Sequence, residues 1–520
     1  MISRVRAGAA GLMVLMLALG GCNGNGTTPP IVEPPPERPD LPQDYRASGH
    51  AAAGDVFVHL FEWKWPDIAR ECESVLGPAG YEAVQVSPPQ EHIVLQDMPW
   101  WIRYQPVSYS LGRSRSGTAA QFSDMVTRCK AAGVDIYVDA VINHMTAGGG
   151  TGTNGTVYTK YNYPGLYTQA DFHPQCGINN YQSAANVQDC ELVGLADLNT
   201  GSTAVQQKIA DYLVGLVRLG VAGFRIDAAK HIQPVELDAI LDRVNQTLTA
   251  EGRPVPYWFA EVIDNGGEAV RREHYYGLAY GTGGAADITE FRYKGVGDKF
   301  LGGGGQRLVD LRTFSQATWN LMPSDKAVVF LENHDTQRGT GIWYRDGQAF
   351  RLANVWMLAQ PYGYPSVMSS YAFERTSAAG RDAGPPSEDG ATNDVACAAS
   401  LETATLGGWV CEHRDPIILR MVGFRHAMAG TDVNHWWDNG ANVIAFSRGA
   451  KGFVAISREP AVFTASVPSG LPAGTYCDVL TGGKVGGACV GTSVDVDAAG
   501  VVALRIVENS AIVIQTETKL

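Results

Sequence analysis

The sequence predicts an α/β protein built on a parallel sheet, with an irregular insertion and a C-terminal antiparallel β domain. Three observations carry this expectation. Short apolar runs of strand character alternate with helical stretches through most of the chain. The stretch from Asn143 to about Asn199 breaks that rhythm, and from about Phe424 alternating strands follow one another across Gly-rich turns. At 520 residues the chain has room for two to four domains, on a prior of roughly 100–200 residues each. Only 18% of residues are charged and the net charge is −13, which excludes an extended phosphate-binding surface and a nucleic-acid partner. The 60 glycines suit a loop-rich enzyme rather than a helical bundle.

Taken in order, Arg4 and Arg6 precede an apolar run from Ala7 to Leu19 that is too short to span a bilayer comfortably. The layout is that of an export signal over residues 1–21. Leu19-Gly20-Gly21-Cys22 resembles a bacterial lipoprotein box, which implies lipidation at Cys22 and a bacterial exported chain, either anchored in the outer membrane or secreted. That anchor would be its one membrane contact. Residues 22–50 are rich in Pro and Gly and form an extended tether. Eight cysteines besides Cys22 allow many connectivities in an exported protein. Proximity in sequence favours Cys176–Cys190, Cys397–Cys411 and Cys477–Cys489, leaving Cys72 with Cys129. No C-x-x-C occurs, so a zinc knuckle or thioredoxin-like site is not expected.

Folding starts with a strand at Asp55–Phe61, a helix from Trp65 to Leu76 with Pro66 in its first turn, and a strand at Tyr81–Pro88. A helix at Ala119–Ala132, closed by Gly133, leads to a strand at Val134–Val141. Residues 144–198 read as a small inserted domain with its own disulfide, because a structureless loop of that length is improbable. Regularity returns with a helix at Thr203–Leu219, a strand at 222–227, a helix at Pro234–Leu248 and a strand at Tyr257–Val262. Strands at Asp287–Phe291 and Lys326–Asp335 follow. Residues 51–143 and 199–424 thus form the α/β unit, and 425–520 the β domain.

Four strand ends carry the chemistry: Asp139-Ala-Val-Ile-Asn143-His144, Arg225-Ile-Asp227-Ala-Ala-Lys230-His231, Glu261, and Glu332-Asn333-His334-Asp335. Period-2 alternation puts Arg225 and Asp227 on one side of their strand. In a closed parallel barrel such exits share the C-terminal face, where active sites sit. Carboxylates converging there beside histidines fit glycoside hydrolysis, in which one carboxylate attacks the sugar and another shuttles a proton.

These residues, with V-H-L-F-E-W at 58–63, V-Q-V-S-P-P at 84–89, W-W-I-R-Y-Q-P-V-S-Y at 100–109, E-V-I-D at 261–264 and V-M-S-S-Y at 367–371, resemble the animal-type alpha-amylases of glycoside hydrolase family 13, a branch that also occurs in some bacteria. The resemblance runs from about Phe57 into the C-terminal domain. It implies a (β/α)8 TIM barrel with an inserted small B domain and a C-terminal antiparallel β-sandwich, acting as a monomeric endo-hydrolase of alpha-1,4-glucans such as starch and glycogen. Asp227 would be the nucleophile, Glu261 the general acid/base, and Asp335 the residue holding the 2- and 3-hydroxyls. A retaining mechanism needs the two working carboxyls about 5–5.5 Å apart. His144 and His334 would donate hydrogen bonds to the sugar. Trp100, Trp101, Tyr104 and Gln105 would line the groove, and Arg225, Lys230 and His231 would complete the substrate contacts.

The resemblance further implies one structural calcium, held by Asn143, Asp197 and the main-chain oxygens of Gln188 and His231, all hard oxygen donors. Animal members also hold chloride through residues matching Arg225 and Asn333 and a second cation. Ser366 stands at that third place, so weak or no chloride dependence is expected. Gly339-Thr-Gly-Ile is also shorter than the glycine-rich lid of those members. Rival readings are an exo-acting or transglycosylating alpha-glucan enzyme and a non-catalytic surface glycan-binding lipoprotein. A binding protein has no use for the acid/base set Asp227, Glu261 and Asp335.

Overall fold

The computed structural model describes residues 47–275, 279–280 and 284–520; the expected signal peptide, Cys22 and most of the tether lie outside the described residues. Eight parallel strands close on themselves: β1 (Phe57–Leu60), β2 (Ala83–Val86), β3 (Asp135–Ala140), β4 (Gly223–Ile226), β5 (Tyr257–Ala260), β6 (Gly284–Thr289), β7 (Ala327–Val329) and β8 (Tyr364–Ser369). Each pairs with the next. Closure comes from β8 against β1, with Phe57 opposite Ser366 and Leu60 opposite Ser369. The parallel sheet is therefore a barrel.

Strands buried on both faces explain the apolar runs, since β1 and β2 contact helices outside and side chains inside. Phe57, Ala83, Tyr137, Phe259, Val328 and Tyr364 pack together inside the barrel. Two residues further along the same faces, the pattern turns polar: Phe57 is followed by His59, Ala83 by Gln85, Tyr137 by Asp139 and Phe259 by Glu261. The aromatic layer thus seals the barrel beneath a polar one. Gly223 sits where a side chain would break that layer. A Cβ there would lie 2.6 Å from the Tyr137 ring and 2.9 Å from the Tyr257 carbonyl oxygen.

Around the strands lie α1 (Trp65–Glu71), α2 (Ala119–Ala131), α3 (Thr203–Arg218), α4 (Pro234–Ala250), α5 (Lys294–Leu301) and α6 (Gln348–Ala359), followed by α7 (Pro416–Ala427). Thr118 and Gln121 form a capping box at the start of α2, and Pro234 and Pro416 open α4 and α7. Three elements differ from expectation. The first helix ends at Glu71 and continues as a π turn, Cys72–Leu76. The expected strand Lys326–Asp335 shrinks to β7, because the Asn333 side chain accepts the N–H groups of Asp335 (3.1 Å) and Thr336 (2.8 Å) and turns the chain away. β8 has no counterpart among the strands read in passing along the chain, where Pro361, Gly363 and Pro365 signal a turn. Strand closure overrides that signal.

Between β3 and α3 the insertion carries a short ladder of Gly150–Thr151 with Val157–Tyr158 and a five-residue helix, Ala184–Gln188. After α7, two antiparallel sheets face each other. One has the order β9 (Val433–Asp438), β10 (Val443–Arg448), β11 (Gly452–Ser457), β16 (Ser510–Gln515); the other β12 (Phe463–Pro468), β15 (Val501–Ile506), β14 (Ser493–Val496), β13 (Gly474–Cys477). Phe453, Val467, Tyr476, Val502 and Leu504 fill the space between them. Cys72–Cys129, Cys176–Cys190, Cys397–Cys411 and Cys477–Cys489 are bonded, the pairing that sequence proximity favours.

Gly223→Ala should lower the unfolding free energy by about 1–3 kcal/mol, the usual range for overpacking a tight core. Thermal or denaturant unfolding checks this; an unchanged midpoint would mean that the Tyr137 ring and β5 yield without strain.

Candidate active site

Arg225 on β4 stands opposite Asp139 on β3. Its Nη1 donates to Asp139 Oδ1 at 2.6 Å and to Asp227 Oδ1 at 2.8 Å, while Nη2 lies 2.7 Å from Glu261 Oε1. One guanidinium thereby gathers carboxylates from three neighbouring strand ends. Asp139 Oδ2 also accepts the Tyr104 hydroxyl at 2.9 Å, and Glu261 Oε2 accepts the Ala228 N–H at 3.0 Å. Ala228 has φ 50°, a left-handed conformation that an alanine adopts only when its surroundings compel it. The strain aims its N–H at Glu261.

Burial pushes every carboxyl of this cluster upward, and Arg225 opposes the rise. Asp139 reaches about 7, from burial first and then the charge of Asp227. For Asp227 the opposing influence is Arg225, through charge and hydrogen bond, with no second carboxylate adding to the rise. Glu261 is raised by burial and by Asp227, and Asp335 by burial, Glu261 and Asp227, to about 7. The charge of Asp227 adds to the rise at Glu261 and so favours the protonated form of Glu261.

The other residues singled out in the sequence surround this cluster. His334 stacks between Tyr104 (centroids 5.1 Å apart, 9° between planes) and Phe61 (5.0 Å, 18°), with Nε2 3.4 Å from Asp335 Oδ2. Burial first, then the charge of Arg225, lowers its pKa well below the usual range. His144 Nε2 bonds the Tyr104 carbonyl at 2.9 Å, and burial brings its pKa down to about 4. Trp100 and Tyr104 belong to a 3-10 turn, Trp100–Tyr104; Trp101 in the same turn is only partly buried. Gln105 Oε1 accepts the Ala147 N–H at 3.1 Å and so ties this turn to the insertion. Lys230 donates to the Ile263 carbonyl at 2.7 Å and pairs with Glu268.

Sequence reasoning placed Asp139 at a strand exit without a specific role and gave none to Phe61, Glu62 or Arg338. A lone acid inside Ile136-Tyr-Val-Asp-Ala140 was the available signal for Asp139. Glu62 is fully buried 3.5 Å from Arg103 Nη1 and 3.4 Å from Arg115 Nε. Arg103 in turn donates to the Pro88 carbonyl, 2.9 Å from Nε, and so holds the Trp100–Tyr104 turn to the barrel.

Two ion sites were expected. Asn143 Nδ2 donates to Asp197 Oδ1 at 3.4 Å, and residues 144 and 197 pair where the insertion leaves and rejoins the barrel. His231 Nδ1 bonds the Val187 carbonyl at 2.9 Å, bringing the strand β4 exit beside Gln188. The expected donors are an amide, a buried carboxylate and main-chain oxygens, the types calcium takes; Asp197 Oδ2 lies 2.7 Å from His173 Nδ1. Behind Arg225 is a cavity of about 20 Å³, room for one water or small ion. Arg225 is the cation that lines it, with Asn333 and Ser366.

The sequence matches the family description "Alpha amylase, catalytic domain" over residues 84–260 and "Alpha amylase, C-terminal all-beta domain" over 435–517. It is 46% identical over 462 residues to an alpha-amylase of Tribolium castaneum, spanning 86% of this chain and 91% of that protein. To a pancreatic alpha-amylase of Sus scrofa it is 42% identical over 496 residues, 89% and 94% of the two chains. Among solved structures, wild-type alpha-amylase I of Eisenia fetida superposes with a TM-score of 0.82 at 38% identity, covering 91% of this chain and 98% of that one. A mutant of that enzyme in complex with maltohexaose gives 0.81 at 40% identity, with 89% and 97% covered. The beetle, mammalian pancreatic and earthworm relatives overturn the expectation of a bacterial outer-membrane lipoprotein. A cationic start and a short apolar run are common to secretory leaders at large, so the four residues Leu19–Cys22 were too few to carry an inference about compartment.

Proposed function

The chain belongs to the alpha-amylase family, and from that premise we propose how its residues divide the hydrolysis of alpha-1,4-glucans. Asp227 is the nucleophile: Arg225 occupies Oδ1, which leaves Oδ2 for C1 of the sugar. As the C1–O bond breaks, Glu261 gives its proton to the departing glycosidic oxygen and a covalent glycosyl–Asp227 ester forms. Glu261, now ionised, then takes a proton from water; the water oxygen attacks C1 and Asp227 departs as a carboxylate. Configuration is retained after two inversions. Asp335 grips the 2- and 3-hydroxyls, and His144 and His334, held neutral by burial, serve as hydrogen-bonding groups for the same sugar. Trp100, Trp101, Tyr104 and Gln105 border the groove on one side, Lys230 and His231 on the other. The observation that carries this reading is Arg225 within 2.8 Å of Asp227 and 2.7 Å of Glu261, which ties both carboxyls to one charge.

The proposal includes domain limits of 51–143 and 199–424 for the barrel, 144–198 for the insertion and 425–520 for the β domain, acting as a single chain that supplies every site residue. Calcium held by Asn143, Asp197 and the carbonyls of Gln188 and His231 would clip the insertion to the barrel. Chloride behind Arg225 would lack a second cation, because Ser366 offers only a hydroxyl.

Reducing-sugar release from soluble starch tests the assignment. Glu261→Gln should lower kcat by about 10²–10⁴-fold, the range for a lost general acid, and Asp227→Asn should abolish turnover. Release equal to that of the unmodified enzyme by either variant ends that residue's assignment. Chelation by EDTA should lower the melting temperature, since a ligand at a hundredfold excess over Kd stabilises by about 2.7 kcal/mol; unchanged melting removes the calcium site. Adding chloride to dialysed enzyme should leave kcat within about twofold. Strong activation would refute the role given to Ser366.

A further inference from the structure

Arg338 closes the short 3-10 turn Thr336–Arg338 that follows Asp335, and it is 9% exposed. Its fork spends each nitrogen on a different oxygen. Nε donates to the Arg381 carbonyl at 2.9 Å, Nη2 to the Tyr371 hydroxyl at 2.8 Å, and Nη1 to the carbonyl of His334. The guanidinium also lies 4.4 Å from the centre of the Trp100 ring and 4.5 Å from that of Phe373. Trp100 follows β2, His334 follows β7, and Tyr371, Phe373 and Arg381 follow β8. Three rim loops meet on one side chain. Among the described residues no carboxylate lies within 4.0 Å of it, an uncommon state for a buried cation. Ring faces and neutral oxygens solvate the charge instead.

We propose that Arg338 is a positioning residue for Asp335 and His334, holding both in place by locking the loops after β2, β7 and β8 together. The proposal rests on the role given to Asp335 above. A lysine could supply the charge but not three fixed donors, and an apolar residue could supply neither. The charge acts in the same direction as the geometry: it favours ionised Asp335 and neutral His334. Other groups facing Asp335 are Glu261, Arg225, Asp227 and His334; those facing His334 include Arg225 and His59. Removing Arg338 leaves the carboxylates to raise Asp335 further, so the acid limb of the pH profile must move to higher pH.

The test compares kcat, KM and the pH dependence of kcat/KM for Arg338→Lys, Arg338→Ala and Asp335→Asn on a maltooligosaccharide, with thermal melting of each. Arg338→Lys should keep the acid limb in place while kcat falls by about 10²-fold, the scale of a 1 Å misplacement. Arg338→Ala should lose at least as much and shift the limb upward. If both variants melt as the parent does and keep its kcat and its limb, the proposal is overturned. It is equally overturned if both lose activity only in proportion to unfolded protein, with the limb unmoved. Asp335→Asn with full activity would instead refute the role of Asp335 itself, whatever Arg338 does.

Discussion

The site depends on one buried guanidinium holding three carboxyl groups. Arg225 contacts Asp139, Asp227 and Glu261 within 2.8 Å, and none of these acids could ionise at such depth without it. The arrangement works because all three acids are buried, so the charges interact across a poorly screening medium. One cation facing several acids leaves protons in the cluster at neutral pH.

Precision at this centre comes from structure further out. Asp227 and Glu261 belong to adjacent strands, so their relation is set by the β4–β5 register, in which Arg225 faces Phe259. Gly223 lets β4 approach its neighbours closely enough for that register. The histidines and Asp335 come from loops, which are softer elements, and the structure compensates with stacking: Tyr104, His334 and Phe61 form one pile of rings. The Glu62–Arg103–Arg115 group beneath Trp100–Tyr104 and the Arg338 fork above it hold that pile from two sides. Ala228 and Glu62 are among the non-glycine residues with positive φ, at points where the backbone turns toward the site.

Much of this was legible in linear form because strand chemistry is periodic. Arg225 and Asp227 share a face by alternation alone, and Glu261 ends an apolar run abruptly, so both announce a functional strand exit. Cysteine spacing named the disulfide partners because short loops close at low entropic cost. β8 was not legible: Tyr364-Pro-Ser-Val-Met-Ser carries turn signals, and only pairing with β1 and β7 makes it a strand. The E-N-H-D segment misled in the other direction, its Asn333 side chain replacing ladder bonds that the apolar run preceding it suggested. Residues 1–22 misled because a handful of residues carried the whole inference about compartment.

By itself the sequence determined the order of strands and helices, the polar residues at their ends and the cysteine pairs, because these follow from local periodicity and short-range spacing. The tertiary structure decided what those residues do to each other. Asp139 becomes a partner of Arg225 only when β3 and β4 lie side by side, and Arg338 becomes a joint only where the loops after β7 and β8 meet the distant loop after β2. The upward shift of the acids is likewise a property of burial and of charges brought close in space, and no linear pattern encodes either.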